Sequence, residues 1–247
     1  MLPIIIAICL LFSGCMTVSQ GSNPQEAATT VKVLSINLCA GWNTPRKDRA
    51  DKIIELVRAE KVDTILFQEG VKGIGQFDMA EYIAKELGYS YCQSPSFGVP
   101  VFFEYSVGII SASPMINVQT VGCQAPGDAW LDKYPFPGSG RGAMANIGGI
   151  QFMSCHLSVP VPQDVKEKQV SCLQAALPPG ITIWGGDFNF VRSDPAYSLI
   201  KLQEALYSGP PQVDMVFSSG LSVLESRLVF EDRVVSDHAG VLVTYGR

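Results

Sequence analysis

Two hydrophobic periods alternate along this chain, and the order of that alternation constrains its fold more than any other feature. At both ends, short apolar runs of strand type alternate with segments of helical type, whereas the middle is a series of short runs separated by Gly and Pro. Val31 to Leu38 (VKVLSINL) is β-branched and short, as a buried strand is. Thr44-Pro45 then offers an N-cap and a proline at the first helical position. Ile53, Ile54, Leu56 and Val57 follow at helical spacing, opposite Arg46, Lys47, Asp48, Asp51, Lys52, Glu55 and Arg58. A strand is expected at Thr64 to Gln68, and a helix over Asp78 to Leu87 closed by Gly88. Tyr89 to Gln93, Phe102 to Ile110, Asn117 to Gly122, Arg141 to Ile147 and Ile150 to His156 read as strands, with Gly148-Gly149 as a hairpin turn between the last two. A helix over Gln163 to Leu177, a strand at Ile181 to Trp184, a helix over Pro195 to Leu206, and strands near Val213, Ser222 and Ala239 complete the series. The expectation is an α/β fold of two mixed sheets packed together and covered by helices.

At 247 residues and 47% hydrophobic composition, the chain can bury a large core as one domain spanning residues 31–247. Its net charge of -5 supplies no general basic field for nucleic acid, although a groove can still be locally basic and a metal ion reverses the field at its own site. Residues 1–14 (MLPIIIAICLLFSG) form an apolar run without charge, too short to span a bilayer, and read as an export signal. Its end at Cys15 resembles a bacterial lipobox, with Phe12 where leucine is usual and no Lys or Arg ahead of the apolar run. Lipidation of Cys15 would make residues 15–30 a flexible tether and the protein a membrane lipoprotein facing the periplasm or cell surface; an ordinary secretory signal is the alternative. Of seven cysteines, Cys9 and Cys15 belong to this segment, leaving Cys39, Cys92, Cys123, Cys155 and Cys172. That odd remainder leaves at least one free thiol beside any structural disulfide, and no Cys or His pair has zinc-site spacing.

Several polar residues stand where apolar strands end. In Ile183-Trp184-Gly185-Gly186-Asp187-Phe188-Asn189, the strand runs into glycines and then presents Asp and Asn two positions apart. Asp187 can take a proton from an attacking water and Asn189 can fix that oxygen; the plainer alternative is a strand-end turn in which both satisfy backbone donors. Ser236-Asp237-His238 is a second polar group beside a strand, able to serve metal and phosphate together. Leu66-Phe67-Gln68-Glu69 ends a buried strand on a hard oxygen ligand suited to magnesium, and Asn37 ends the first strand; each taken alone also fits an ordinary loop residue. His156 ends another strand and is one of only two histidines, the other being His238. Asp214 sits within an apolar strand (VDMVF), where an unpaired carboxylate is expensive, and an imidazole is its natural partner.

Taken together, LSIN at Asn37, LFQEG at Glu69, GIISASPM at Gly108 to Met115, SCHL at His156, GGDFN at Asp187 and Asn189, VDMVFSS at Asp214 and SDHAGV at Asp237 and His238 resemble the endonuclease/exonuclease/phosphatase superfamily. The resemblance implies a DNase I-like four-layer sandwich, two mixed β-sheets flanked by helices, with the site at one edge. It implies Glu69 as the main metal ligand with Asn37 and Asp237 nearby, and Mg2+ as cofactor with Mn2+ as the alternative. It implies Asp187 and Asn189 acting on water, and His156 and the Asp214–His238 pair acting on phosphoryl oxygens. Arg141 stands where many members carry an arginine, and there it would touch phosphate or brace an acidic ligand. This sequence departs from the pattern at Cys39, where several relatives are acidic, and at Ser113, where arginine is common; the short stretch from Asn189 to Asp214 points to an open cleft. The expected activity is divalent-metal-dependent hydrolysis of phosphate esters by a monomer. DNA or RNA cleavage is one alternative, and a catalytically inactive binding lipoprotein is another. The segment from Ala125 to Arg141, with Trp130, Tyr134 and Phe136, is the expected substrate lip unless those rings only pack the loop.

Overall fold

The computed structural model describes residues 30–39, 46–99, 103–123, 140–209 and 212–247. The expected leader, the Cys15 lipidation site, Thr44-Pro45, and Trp130, Tyr134 and Phe136 lie outside the described residues. No described helix is long and apolar enough to cross a membrane.

The chain order is β1 (Thr30–Asn37), α1 (Arg46–Glu60), β2 (Thr64–Lys72), α2 (Met79–Leu87), β3 (Ser90–Val99), β4 (Phe103–Ser111), β5 (Ile116–Gly122), β6 (Arg141–Ile147), β7 (Ile150–His156), α3 (Gln163–Ala176), β8 (Thr182–Asp187), β9 (Gln203–Glu204), β10 (Asp214–Ser219), β11 (Ser222–Val229) and β12 (Gly240–Gly246). One six-stranded sheet has the order β11-β12-β1-β2-β4-β3 and the other β5-β6-β7-β8-β10-β9. Both are mixed. β1 and β2 pair in parallel across α1, β7 and β8 pair in parallel across α3, and every other neighbour is antiparallel. A parallel pair needs a crossover, so each helix is thrown onto an outer face by the pair it connects.

Three apolar interfaces hold these layers together. Val33, Leu66, Ile109, Phe152, Ile183, Val216 and Val241 meet between the sheets. Ile53 and Val57 of α1 and Ile83 of α2 cover Leu34, Ile36 and Phe67 on one outer face. Val170 and Leu173 of α3 cover Met153, Trp184 and Phe217 on the other. The fold is therefore the expected α/β sandwich of two mixed sheets with helices outside. The start and stop signals of α2 act where they were read. The Asp78 carboxylate accepts from the Glu81 N–H at 2.9 Å to start α2, and Gly88, at φ 70°, turns left-handed to end it.

The expected helix from Pro195 to Leu206 is not formed. Asp194 caps and Pro195 opens only a 3-10 turn, Pro195–Leu199, after which Gln203–Glu204 extends and pairs with β10. Tertiary contacts outweigh helical propensity here. The Glu204 carboxylate takes two bonds from Arg192 Nε and one from its Nη2, at 2.8 to 3.0 Å, and the Tyr197 hydroxyl donates to it at 2.8 Å. A disulfide joins Cys123 at the end of β5 to Cys172 of α3, while Cys92 and Cys155 are buried thiols and Cys39 is half-buried.

Candidate active site

Strand register aligns the polar residues before any side-chain contact is considered. Across the second sheet, Arg141 of β6 faces His156 of β7, His156 lies beside Asp187 of β8, and Asp187 faces Asp214 of β10. In the first sheet, Asn37 of β1 lies beside Gln68 of β2, so Glu69 follows at once. The two rows meet at Asn37, whose amide nitrogen donates to Glu69 Oε1 at 3.1 Å and to Asp187 Oδ2 at 3.2 Å. The Cys39 N–H donates to Asn37 Oδ1 at 2.8 Å and so fixes which end of the amide faces the carboxylates.

The Gly185-Gly186 pair makes this junction possible. A Cβ on Gly185 would lie 2.8 Å from Leu66 Cδ1, and one on Gly186 would lie 2.1 Å from the Cys155 carbonyl oxygen. Side chains there would force the sheets or strands apart. Cys39, Glu69 and Asn189 all have left-handed backbones, with φ of 41°, 53° and 52°. Such conformations in non-glycine residues are costly and cluster at functional sites. At Glu69 the pairing of β2 with β4 is interrupted between Phe67 and Gly70, which turns the carboxylate out of the sheet.

Asp187 is the centre of the arrangement. Its Oδ1 accepts from the Asn189 N–H at 2.9 Å, and its Oδ2 lies 3.3 Å from His156 Nε2 and 3.7 Å from His238 Nδ1. The Asn189 side-chain amide donates to the Leu157 carbonyl at 2.8 Å, which leaves its oxygen to accept from a neighbour. His238 Nδ1 is 2.6 Å from Asp214 Oδ2, inside the strand pair that buries Asp214 completely. The bond to Asp214 pushes the His238 pKa up to about 9, and burial pushes Asp214 up to about 7. The pair therefore holds a proton more tightly than either group does in water. Asp237 is exposed at the rim, where the Ser236 hydroxyl donates to it at 3.4 Å and its charge reaches both Asp214 and His238. Arg141 is half-buried at the far end of the same row.

Among the described residues, two groups bring ligand atoms within 4.8 Å of one another: Glu69, His156 and Asp187, and Asp187, Asp214 and His238. Asp237 belongs to neither group. The Glu69 and Asp187 carboxylates share one amide donor, and the buried Asp214 Oδ1 has no hydrogen-bond partner. The two carboxylates of the first group could hold a hard divalent cation, and of the two Glu69 lies nearer the open side.

One residue that braces the loops of the candidate site was missed from sequence. Arg49 is 4% exposed; its guanidinium donates to the Cys39 carbonyl at 2.8 Å and to the Val235 carbonyl at 3.3 Å. It ties the loop after Asn37 to the loop that delivers Asp237 and His238. Its spacing of four from the buried Ile53, and of four again to Val57, was the available signal: a cation on the apolar stripe of α1.

The model of the Endonuclease/Exonuclease/phosphatase family matches residues 34–238. The chain belongs to this family. Solved structures of the family share its architecture at low identity. A family protein from Leptotrichia buccalis C-1013-b superposes with a TM-score of 0.69 at 21% identity, covering 86% of this chain and 98% of that one. An AP endonuclease from Archaeoglobus fulgidus gives 0.61 at 15% identity, covering 86% and 98%. D. rerio TDP2 complexed with single-strand DNA product gives 0.62 at 15%, covering 89% and 100%. No curated protein matches the chain in sequence. Endonuclease/exonuclease/phosphatase proteins are hydrolases of phosphate esters, and among the described residues of this chain the carboxylates and imidazoles that could hold a metal ion gather at the sheet edges.

Proposed function

We propose that the chain is a divalent-metal-dependent phosphodiesterase or phosphatase, using Mg2+ or, alternatively, Mn2+. The observation that carries this reading is the convergence on Asp187 of Asn37, His156, Asn189 and His238, drawn from both sheets. Glu69, with Asn37 beside it and Asp237 at the rim, would hold the cation. When bound, such a cation polarises the phosphoryl oxygens and supports charge on the leaving oxygen. Asp187 accepts a proton from the attacking water, and the free Asn189 side-chain oxygen orients that water. His238 keeps Nδ1 on Asp214, which leaves Nε2 to donate to a phosphoryl oxygen as negative charge shifts during in-line attack. His156 supplies a second imidazole on the other side of Asp187, and Arg141 extends the row toward the substrate.

DNA or RNA cleavage is the second reading. The AP endonuclease and DNA-complexed fold neighbours favour it, while the net charge of -5 does not. We propose export as well, on the strength of the apolar leader and of the Cys123–Cys172 pair, which an oxidising compartment would favour; the lipid anchor at Cys15 rests on the lipobox-like end of that leader alone. The test is release of product by the full chain with magnesium from plasmid DNA, p-nitrophenyl phosphate, bis-p-nitrophenyl phosphate and sphingomyelin. His238→Ala should lower kcat about a hundred- to thousandfold on whichever is cleaved, as expected for loss of a charged transition-state donor. An unchanged rate in His238→Ala would remove this residue from the chemistry.

A further inference from the structure

Beneath the cluster of Glu69, His156 and Asp187, a polar link that the chemistry proposed above does not use joins the two sheets. Ser154 of β7 and Gln68 of β2 are both fully buried, where polar groups are costly unless they are hydrogen-bonded. The Ser154 hydroxyl donates to the Phe67 carbonyl at 2.8 Å and accepts from Gln68 Nε2 at 3.0 Å. The same amide nitrogen donates to the Leu66 carbonyl at 3.2 Å, so the link takes in three successive residues of β2. Gly185 lies beside Ser154 in the β7–β8 ladder, and without a Cβ it lets the second sheet approach Leu66 closely enough for so short a side chain to reach across.

The position of this link gives it a consequence beyond stability. Ser154 stands two residues before His156 on the same face of β7, and Gln68 stands directly before Glu69. The β2–β4 ladder shifts between Phe67 and Gly70, so Ser154 holds the last paired residue before the bulge that presents Glu69. The apolar contacts around the link, among them Val33, Leu66, Ile109 and Phe152, are non-directional and fix no offset between the sheets. A hydrogen bond is directional and does. We infer that Ser154 and Gln68 are positioning residues, whose bond across the sheets sets where Glu69 stands relative to His156 and Asp187. The inference rests on reading those three as the holders of a divalent cation, and it adds the residues that fix their spacing. Magnesium demands near-ideal octahedral geometry at roughly 2.0–2.1 Å, so a small displacement of one carboxylate weakens the whole site.

The test measures Mn2+ binding to the metal-stripped full chain by electron paramagnetic resonance, which reads the free aquo ion and needs no turnover. Ser154→Ala should weaken binding about tenfold, as loss of an outer partner of a metal ligand does, and should raise the magnesium concentration for half-maximal hydrolysis by the same factor. Gln68→Met cuts the link from the other sheet at similar volume and should move both readouts in the same direction, which keeps the test decisive if Ser154→Ala folds poorly. Ile150→Val, in the same inter-sheet core but at the far end of β7, controls for lost stability. Its melting temperature should fall while its Mn2+ affinity stays at the wild-type value. Equal Mn2+ affinity in the wild type, Ser154→Ala and Gln68→Met overturns the inference even if esters are hydrolysed. So does a matching loss of affinity in Ile150→Val, which would assign the effect to general loosening, and so does a wild type that binds no Mn2+. The expected weakening in a chain that cleaves no ester leaves the link standing and removes the hydrolase reading instead.

Discussion

Asp214 illustrates how much one buried carboxylate controls. It is wholly enclosed, and His238 Nδ1 at 2.6 Å is what makes its charge tolerable. The same bond lifts His238 to about 9, so the ring is a cationic donor across neutral pH. Catalysis that uses this donor should fall as pH rises through about 9. In Asp214→Asn the ring loses its partner, so the alkaline limb of the pH–rate profile should move to lower pH and kcat should drop about a hundredfold. The linkage sign is consistent. His238 in the folded protein titrates above its ordinary 6.5, so its stabilising contribution is complete below that value and is lost as pH rises through about 9. Burial raises Asp214 in the same direction, toward the protonated pair. The melting temperature of metal-free protein should therefore decline on the alkaline side, and a melting temperature that climbs from pH 7 to 9 contradicts the pair as described. Most of these residues were legible in sequence because their chemistry requires polar types at strand ends. Arg49 was not, since its role is to satisfy backbone carbonyls that only the folded loops create.

At the scale of elements, the strands and the three α-helices follow from period, with capping added at α2, while the loops and the strand edges do not. Residues 195–206 carry a correct start signal in Asp194 and Pro195, yet Arg192, Tyr197 and Glu204 pull the chain into a 3-10 turn and an edge strand. That network is non-local and leaves no periodic trace. The glycines before Asp187 are the opposite case, visible in sequence and explained by space. Gly186→Ala would press a methyl group onto the Cys155 carbonyl at 2.1 Å, which backbone on both sides cannot relieve cheaply. We expect a loss of at least ~3 kcal/mol in unfolding free energy, read by chemical denaturation. A change under about 0.5 kcal/mol would mean that β7 and β8 adjust more freely than close packing allows.

For the molecule as a whole, the essential event is that two sheets bring together residues far apart in the chain. Asn37 and Asp187 are separated by 150 positions and share a hydrogen bond. Periodicity alone gave two sheets and outer helices; which strand ends meet came only from the ordered series of motifs that resembles the family. The carboxylates of Glu69, Asp187 and Asp214 gathered at that meeting point make the central claim a claim about metal. The most direct test is the rate of bis-p-nitrophenyl phosphate hydrolysis by the full chain after chelation, during magnesium titration, and again in Glu69→Gln. The account requires activity that is abolished by chelator, restored by magnesium, and in Glu69→Gln recovered only at much higher magnesium or not at all. Hydrolysis that survives complete chelation, or a Glu69→Gln titration that overlays the wild type, contradicts it.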